Sequence, residues 1–116
     1  MVPKKHRLKK KNDFARVMRR GGAAMDERLL LKFCDNQQEA SRVGFVCGKK
    51  VAKGAVARNR IKRRLREIVR RLLPAIKPGM DLVFLTRPGI TEIKFSEMEA
   101  IVEKLLKKAR ILTIDN

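Results

Sequence analysis

A small α/β layer, with helices packed on a sheet, is the fold class this sequence predicts. Three observations carry that prediction. Two stretches, 55–73 and 98–109, repeat apolar residues at the helical spacing of i, i+3, i+4 and i+7. Three short runs rich in Val, Leu and Phe, at 29–34, 42–48 and 82–86, have the length and composition of strands. The two kinds of segment interleave, and 116 residues suffice for one domain with one core.

In chain order, Asn12 is placed to cap a short helix carrying Phe14, Val17 and Met18 on one stripe, and Gly21-Gly22 can end it. The run Leu29 to Cys34 alternates, with Leu29, Leu31 and Phe33 on one face and the more polar Leu30, Lys32 and Cys34 on the other. A polar stretch, Asp35 to Ser41, leads into a second strand, Arg42 to Gly48, and the two are expected to form an antiparallel pair. The helix over 55–73 buries Ile61, Leu65, Ile68, Val69 and Leu72 and stops at Pro74. After Pro78-Gly79, Leu82 to Thr86 reads as a central strand. Ser96 and Glu99 have the spacing of a capping box ahead of the last helix, whose stripe is Met98, Ile101, Val102, Leu105, Leu106 and Ala109.

Lys and Arg number 30 against 12 Asp and Glu, a formal net charge of +18. The excess is local. Residues 1–20, at +8, and 49–71, at +10, carry all of it, and the remainder of the chain is balanced. Two concentrated blocks on a neutral domain have the character of a polyanion footprint, whereas uniform basicity would serve solubility. A hydrophobic fraction of 44% is too high for a disordered basic tail, so the chain is expected to fold, with only residues 1–10 as a flexible basic arm. The N-terminus lacks a signal-type apolar stretch, and no segment nears the roughly 18 apolar residues of a bilayer span. Cys34 and Cys47 lack metal-type spacing and read as reduced, buried thiols of a cytosolic protein.

On the 55–73 helix, successive side chains turn by about 100°. Asn59, Arg63, Arg66 and Arg70 therefore oppose the apolar stripe, with Arg60, Arg64 and Arg71 on one flank and Lys62 on the other. Guanidinium groups grip phosphates bidentately and stack on bases, and Asn59 can address a base edge or a 2′-hydroxyl. The stretch Lys49-Lys50-Val51-Ala52-Lys53-Gly54-Ala55-Val56-Ala57-Arg58-Asn59-Arg60-Ile61-Lys62-Arg63-Arg64-Leu65-Arg66-Glu67 resembles the signature of the bacterial ribonuclease P protein family, centred on the Arg-Asn-Arg triplet that opens a basic helix. Leu8-Lys9-Lys10, Asp13-Phe14, Arg42-Val43-Gly44 and Arg87-Pro88 extend the resemblance over the whole chain.

The resemblance implies a two-layer α+β sandwich, a mixed four-stranded sheet with three helices in the order α-β-β-β-α-β-α, one strand more than periodicity alone shows. It implies an RNA-binding subunit of a tRNA 5′-maturation endonuclease whose RNA performs the hydrolysis with Mg2+, with no cofactor on the protein. Lys49, Lys50, Lys53, Arg58, Asn59, Arg60, Lys62, Arg63 and Arg66 would then contact the catalytic RNA. Phe14, Met18, Lys32 and Arg87 would contact the 5′ leader of precursor tRNA, in a cleft between sheet and first helix. Such a cleft is normally aromatic; here Met18 stands where an aromatic is common and Lys32 where Tyr is frequent, so charge is expected to matter more and stacking less. Partners would be the two RNAs in the cytoplasm, with neither membrane nor DNA.

Catalysis by the chain itself has little support in the residues. A general base or metal-holding carboxylates would be needed. His6 lies in the basic arm without an acid partner, where solvation or a phosphate contact is expected, and Asp81 stands alone. Glu92, Glu97, Glu99 and Glu103 read as the start and outer face of the last helix, and no P-loop or zinc spacing occurs. A ribosomal or ribosome-assembly protein is the main alternative; a DNA-binding protein and a free-standing nuclease follow, the former weakened by the lack of a helix-turn-helix or zinc module.

Overall fold

The computed structural model describes residues 2–113. The elements are α1 (Lys11–Arg20), β1 (Gly22–Met25), β2 (Leu29–Asp35), β3 (Arg42–Val46), α2 (Ala55–Leu72), β4 (Met80–Thr86) and α3 (Phe95–Lys108), with single 3-10 turns at Lys4–His6, Leu73–Ala75 and Ile90–Glu92. This is the order α-β-β-β-α-β-α around a four-stranded mixed sheet. The strands lie in the order β1-β2-β4-β3, with β1–β2 and β2–β4 antiparallel and β3–β4 parallel.

Alternation along the strands divides the core. Leu29 and Leu31 of β2 and Leu82 and Phe84 of β4 join the main cluster with Ile61, Leu65 and Ile68 of α2 and Ile101, Leu105 and Leu106 of α3. Phe45 of β3 stacks on Phe84 with ring centroids 5.9 Å apart. On the opposite face, Val83 packs with Leu8 and with Val17 of α1, flanked by Phe14, Cys34 and Leu85. Thus α1, with Leu8 just before it, covers part of the second face.

Several expectations need correction. The strands 29–35 and 42–46 do not pair with each other, because β4 lies between them. The connecting loop explains this: its two buried polar side chains bond to the approach to β4 instead of closing a hairpin. Ser41 Oγ donates to the Lys77 carbonyl at 2.6 Å and accepts from the Met80 amide at 3.0 Å, while Asn36 Nδ2 donates to Asp81 Oδ1 at 3.0 Å. Gly22 does not merely end α1; it starts β1, which lines up against β2 from Gly22↔Phe33 to Met25↔Leu30.

Neither expected helix cap forms. Lys10 is the N-cap of α1, its carbonyl accepting from the amides of Asp13 and Phe14, and Asn12 lies inside the helix. Lys94 is the N-cap of α3, and Ser96 and Glu99 fall within it. Asp13 and Glu97 supply the first-turn negative charge that favours a helix N-terminus.

The basic arm is also packed rather than free: Val2 and Leu8 are buried, the Leu8 amide donates to the Val43 carbonyl at 2.9 Å, and Arg7 bridges to Val43 at the outer edge of β3. Met1 lies outside the described residues. His6 bonds through Nδ1 to the Ser41 carbonyl at 2.7 Å. Cys34 and Cys47 are free thiols, half-buried rather than buried.

Candidate nucleic-acid interface

Helix α2 turns Ile61, Leu65, Ile68, Val69 and Leu72 into the core, which commits the other side to solvent. Asn59, Arg60, Arg63 and Arg66 are exposed there, and Arg58, Lys62 and Arg64 are half-buried. The two halves of the helix differ electrostatically. Near its end, Glu67 accepts from Arg70 (Nη2 at 2.7 Å) and Arg71 (Nε at 3.1 Å). The Arg70 hydrogen bond, reinforced by Arg71, holds the Glu67 carboxyl down at about 2, so that end is internally neutralised. Among the described residues, no ion pair engages Arg60, Lys62, Arg63, Arg64 or Arg66. Their charge is free to meet an external anion.

The connection Cys47 to Gly54 extends this surface. Lys49, Lys50 and Lys53 are exposed on it, while Ala52 is buried. Gly54 caps α2 without a side-chain bond, and the helix has no acid in its first turn. The expected RNA-facing residues therefore form one patch around the start of α2. Arg58 differs from the rest, because its Nη1 donates inward to the carbonyls of Ala52 and Lys53 at 2.9 and 2.7 Å.

The second surface lies beside α1. Register sorts the residues of that sheet face into rows across the strands: Cys34, Asp81 and Arg42; then Ala23, Lys32, Val83 and Gly44; then Met25, Leu30, Leu85 and Val46. Helix α1 rests on the first two rows. Asp81, fully buried, accepts from Arg42 (Nε to Oδ1 at 2.9 Å, Nη2 to Oδ2 at 2.7 Å), from Asn36 and from Arg16 of α1. Asp13 of α1 also pairs with Arg42 at 3.2 Å. On the other flank of α1, the Phe14 ring lies against Gly44, where a Cβ would fall 2.4 Å from Cζ of the ring.

The third row is left open. Met25 and Val46 are exposed, and Leu30 and Leu85 are half-buried. Met18, one turn beyond Phe14 on the same flank of α1, is 41% exposed. Arg87, just past β4, donates from Nη1 to the Met25 sulfur at 3.2 Å. The structure thus gathers Met18, Lys32 and Arg87 around an apolar trough, with Phe14 half-buried at one end as much a support as a wall. Sequence reading missed Met25 because β1 carries no strand signal, and missed the exposure of Val46 because partner order is invisible in a single strand. Around Phe14, a cavity of about 330 Å³ is lined by Val2, Leu8, Val43 and Phe45 and rimmed by Arg7, Lys9 and Arg66.

Asp81 has its carboxylate oxygens engaged, and among the described residues no three of His, Cys, Asp and Glu gather into a metal-holding group. No helix among them is long and apolar enough to cross a membrane.

A family model described as Ribonuclease P matches residues 2–110. The chain belongs to the ribonuclease P protein family. The ribonuclease P protein component of Roseiflexus castenholzii is 42% identical over 108 residues, covering 92% of this chain and 88% of that one. The corresponding protein of Dehalococcoides mccartyi is 44% identical over 108 residues, covering 93% and 88%. Among solved structures, the ribonuclease P protein of Staphylococcus aureus superposes with a TM-score of 0.85 at 27% identity, over 92% of this chain and 97% of that one. The ribonuclease P protein of Thermotoga maritima superposes at 0.80 with 30% identity, over 95% and 98%. The fold of the ribonuclease P proteins is therefore the fold of this chain, and the element order that the resemblance implied is correct.

Proposed function

We propose that this subunit of ribonuclease P binds two RNAs at two surfaces: the catalytic RNA at the start of α2 with the Lys49–Lys53 segment, and the 5′ leader of precursor tRNA in the trough beside α1. One observation carries the reading: among the described residues Arg60, Lys62, Arg63, Arg64 and Arg66 of α2 enter no ion pair, while Arg70 and Arg71 at its end do. A solvated surface helix gains from pairing its charges. A helix that leaves one end unpaired has that end available for phosphates.

The leader trough combines an apolar floor with Lys32 and Arg87 at its margins, which suits unstacked bases over a charged backbone. Magnesium would be held by the RNA, which would perform the hydrolysis, and the protein would lessen the repulsion between substrate and catalytic RNA. The cytoplasm is the corresponding compartment. Cleavage of precursor tRNA by the cognate catalytic RNA, with and without the protein, tests this reading. At low magnesium the protein should accelerate cleavage, and Lys62→Ala, Arg63→Ala and Arg66→Ala together should remove that gain; high magnesium should restore it. Activity that stays absent at every magnesium concentration, despite an intact complex, would place these side chains in the chemistry and refute the proposal.

A further inference from the structure

We infer that Arg58 is a positioning residue, one that holds the lysine-bearing connection before α2 in the shape that presents Lys49, Lys50 and Lys53 to RNA. The inference rests on the RNA-binding reading of that surface and assigns Arg58 a role different from its neighbours'.

The connection is built in two parts. Its first half closes on itself: the amides of Val51 and Ala52 both donate to the Gly48 carbonyl, at 3.1 and 3.2 Å, and Ala52 is 6% exposed in the main core. Its second half, Lys53 and Gly54, is exposed, and nothing lies within 4 Å of a Cβ built on Gly54. The N-cap of α2 makes no side-chain bond. What spans this half is the Arg58 guanidinium, reaching back from the first turn of the helix. Its Nη1 carries two hydrogens, and two carbonyls accept from it: Ala52 at 2.9 Å and Lys53 at 2.7 Å.

Three lysines crowded on so short a segment repel one another, and each gains freedom if the segment frays. Charge-assisted bonds from a fixed helix to two consecutive carbonyls oppose that fraying. Asn59 and Arg60, the next residues, point their side chains to solvent, whereas Arg58 is half-buried. Lysine would keep the charge but not the planar geometry that reaches both carbonyls.

The first test needs no RNA. Amide hydrogen exchange in Arg58→Ala and Arg58→Lys should quicken about tenfold at Val51 and Ala52, as expected for a lost charge-assisted bond, while Ile68 and Leu105 keep their protection. Unchanged exchange at Val51 and Ala52 would overturn the inference. The second test is a double-mutant cycle in binding to the catalytic RNA, with Arg58→Ala made in the native protein and in a variant carrying Lys49→Ala, Lys50→Ala and Lys53→Ala. A residue acting through the lysines weakens binding in the native background and adds nothing in their absence. Equal losses in both backgrounds would mean that Arg58 contacts RNA itself and would overturn the positioning role. Normal binding by the triple-lysine variant would sink the RNA-surface reading and the presentation role with it, and the exchange experiment would still decide whether Arg58 holds the segment.

Discussion

Asp81 and Arg42 stand opposite each other on the parallel strands β4 and β3, and each oxygen of the buried carboxylate accepts one bond from the guanidinium, at 2.9 and 2.7 Å. Arg16 adds a bond to the same carboxylate from α1. One acidic side chain thus ties the sheet to the helix packed on that face, and the bond to Asp81 pushes the Arg42 guanidinium still further above its ordinary range. Removing one member of such a group leaves buried charge without a partner, which costs about 3–5 kcal/mol. Asp81→Ala should therefore lower unfolding free energy in urea by about that amount, and a loss under about 1 kcal/mol would show the tie to be dispensable.

Glu67 supplies a prediction about acid. Its folded-state pKa lies below the ordinary value of 4.5, at about 2, chiefly through the Arg70 hydrogen bond. A depressed carboxylate pKa means that the ion pair stabilises the fold fully above about pH 5 and is lost as pH falls through about 2. The stability difference between the native protein and Glu67→Gln should accordingly be greatest near neutrality and vanish in strong acid. A carboxyl titration followed by NMR that shows an ordinary midpoint for Glu67 would contradict this.

Salt offers a test of which cations meet phosphate. The logarithm of the binding constant for the catalytic RNA should fall steeply with the logarithm of salt concentration, and each lost phosphate contact should flatten the slope by about one unit. Arg60→Ala, Arg63→Ala and Arg66→Ala should each do so. Lys107→Ala, at an exposed position of α3 that belongs to neither basic block of the sequence, should leave the slope unchanged. Identical slopes for the two groups would mean that the patch on α2 is not the footprint.

Met18 tests the leader trough. It is exposed at the margin of the open row, and an aromatic ring there would add stacking worth about 1–3 kcal/mol per base. Met18→Phe should tighten binding of a tRNA that carries its leader and leave mature tRNA unaffected; the ratio of the two dissociation constants is the measurement. An unchanged ratio would remove Met18 from the site.

Where sequence reading succeeded, local periodicity and burial coincide. Ile61, Leu65, Ile68 and Leu72 repeat often enough to orient α2 with no knowledge of its partners, and the same angle sets Asn59, Arg63 and Arg66 outward. Where it fell short, the deciding contact is distant in sequence. Gly22-Ala23-Ala24-Met25 has little preference for extended structure and becomes β1 only because β2 offers a free edge. The insertion of β4 between β2 and β3 rests on contacts remote in sequence, such as those of Ser41 with Lys77 and Met80. Of the site, the basic patch was legible because charge and period share one helix. The inward turn of the Arg58 guanidinium and the presence of Met25 in the trough were not, since both depend on where backbone from another element arrives.

The pairing of Arg7 and Leu8 with Val43 has a consequence for solubility. Strand β3 is a rim of the sheet, and an uncovered rim offers amides and carbonyls that a second molecule can extend into a shared sheet. Here Leu8 satisfies the Val43 carbonyl and Val2 and Leu8 are buried, while Lys4, Lys5, Lys9 and Lys10 of the same segment are exposed and give it a charge that repels an approaching copy. A chain shortened to begin at Lys9 would leave the Val43 carbonyl on that rim without its partner and is expected to self-associate through β3, which size-exclusion chromatography would detect.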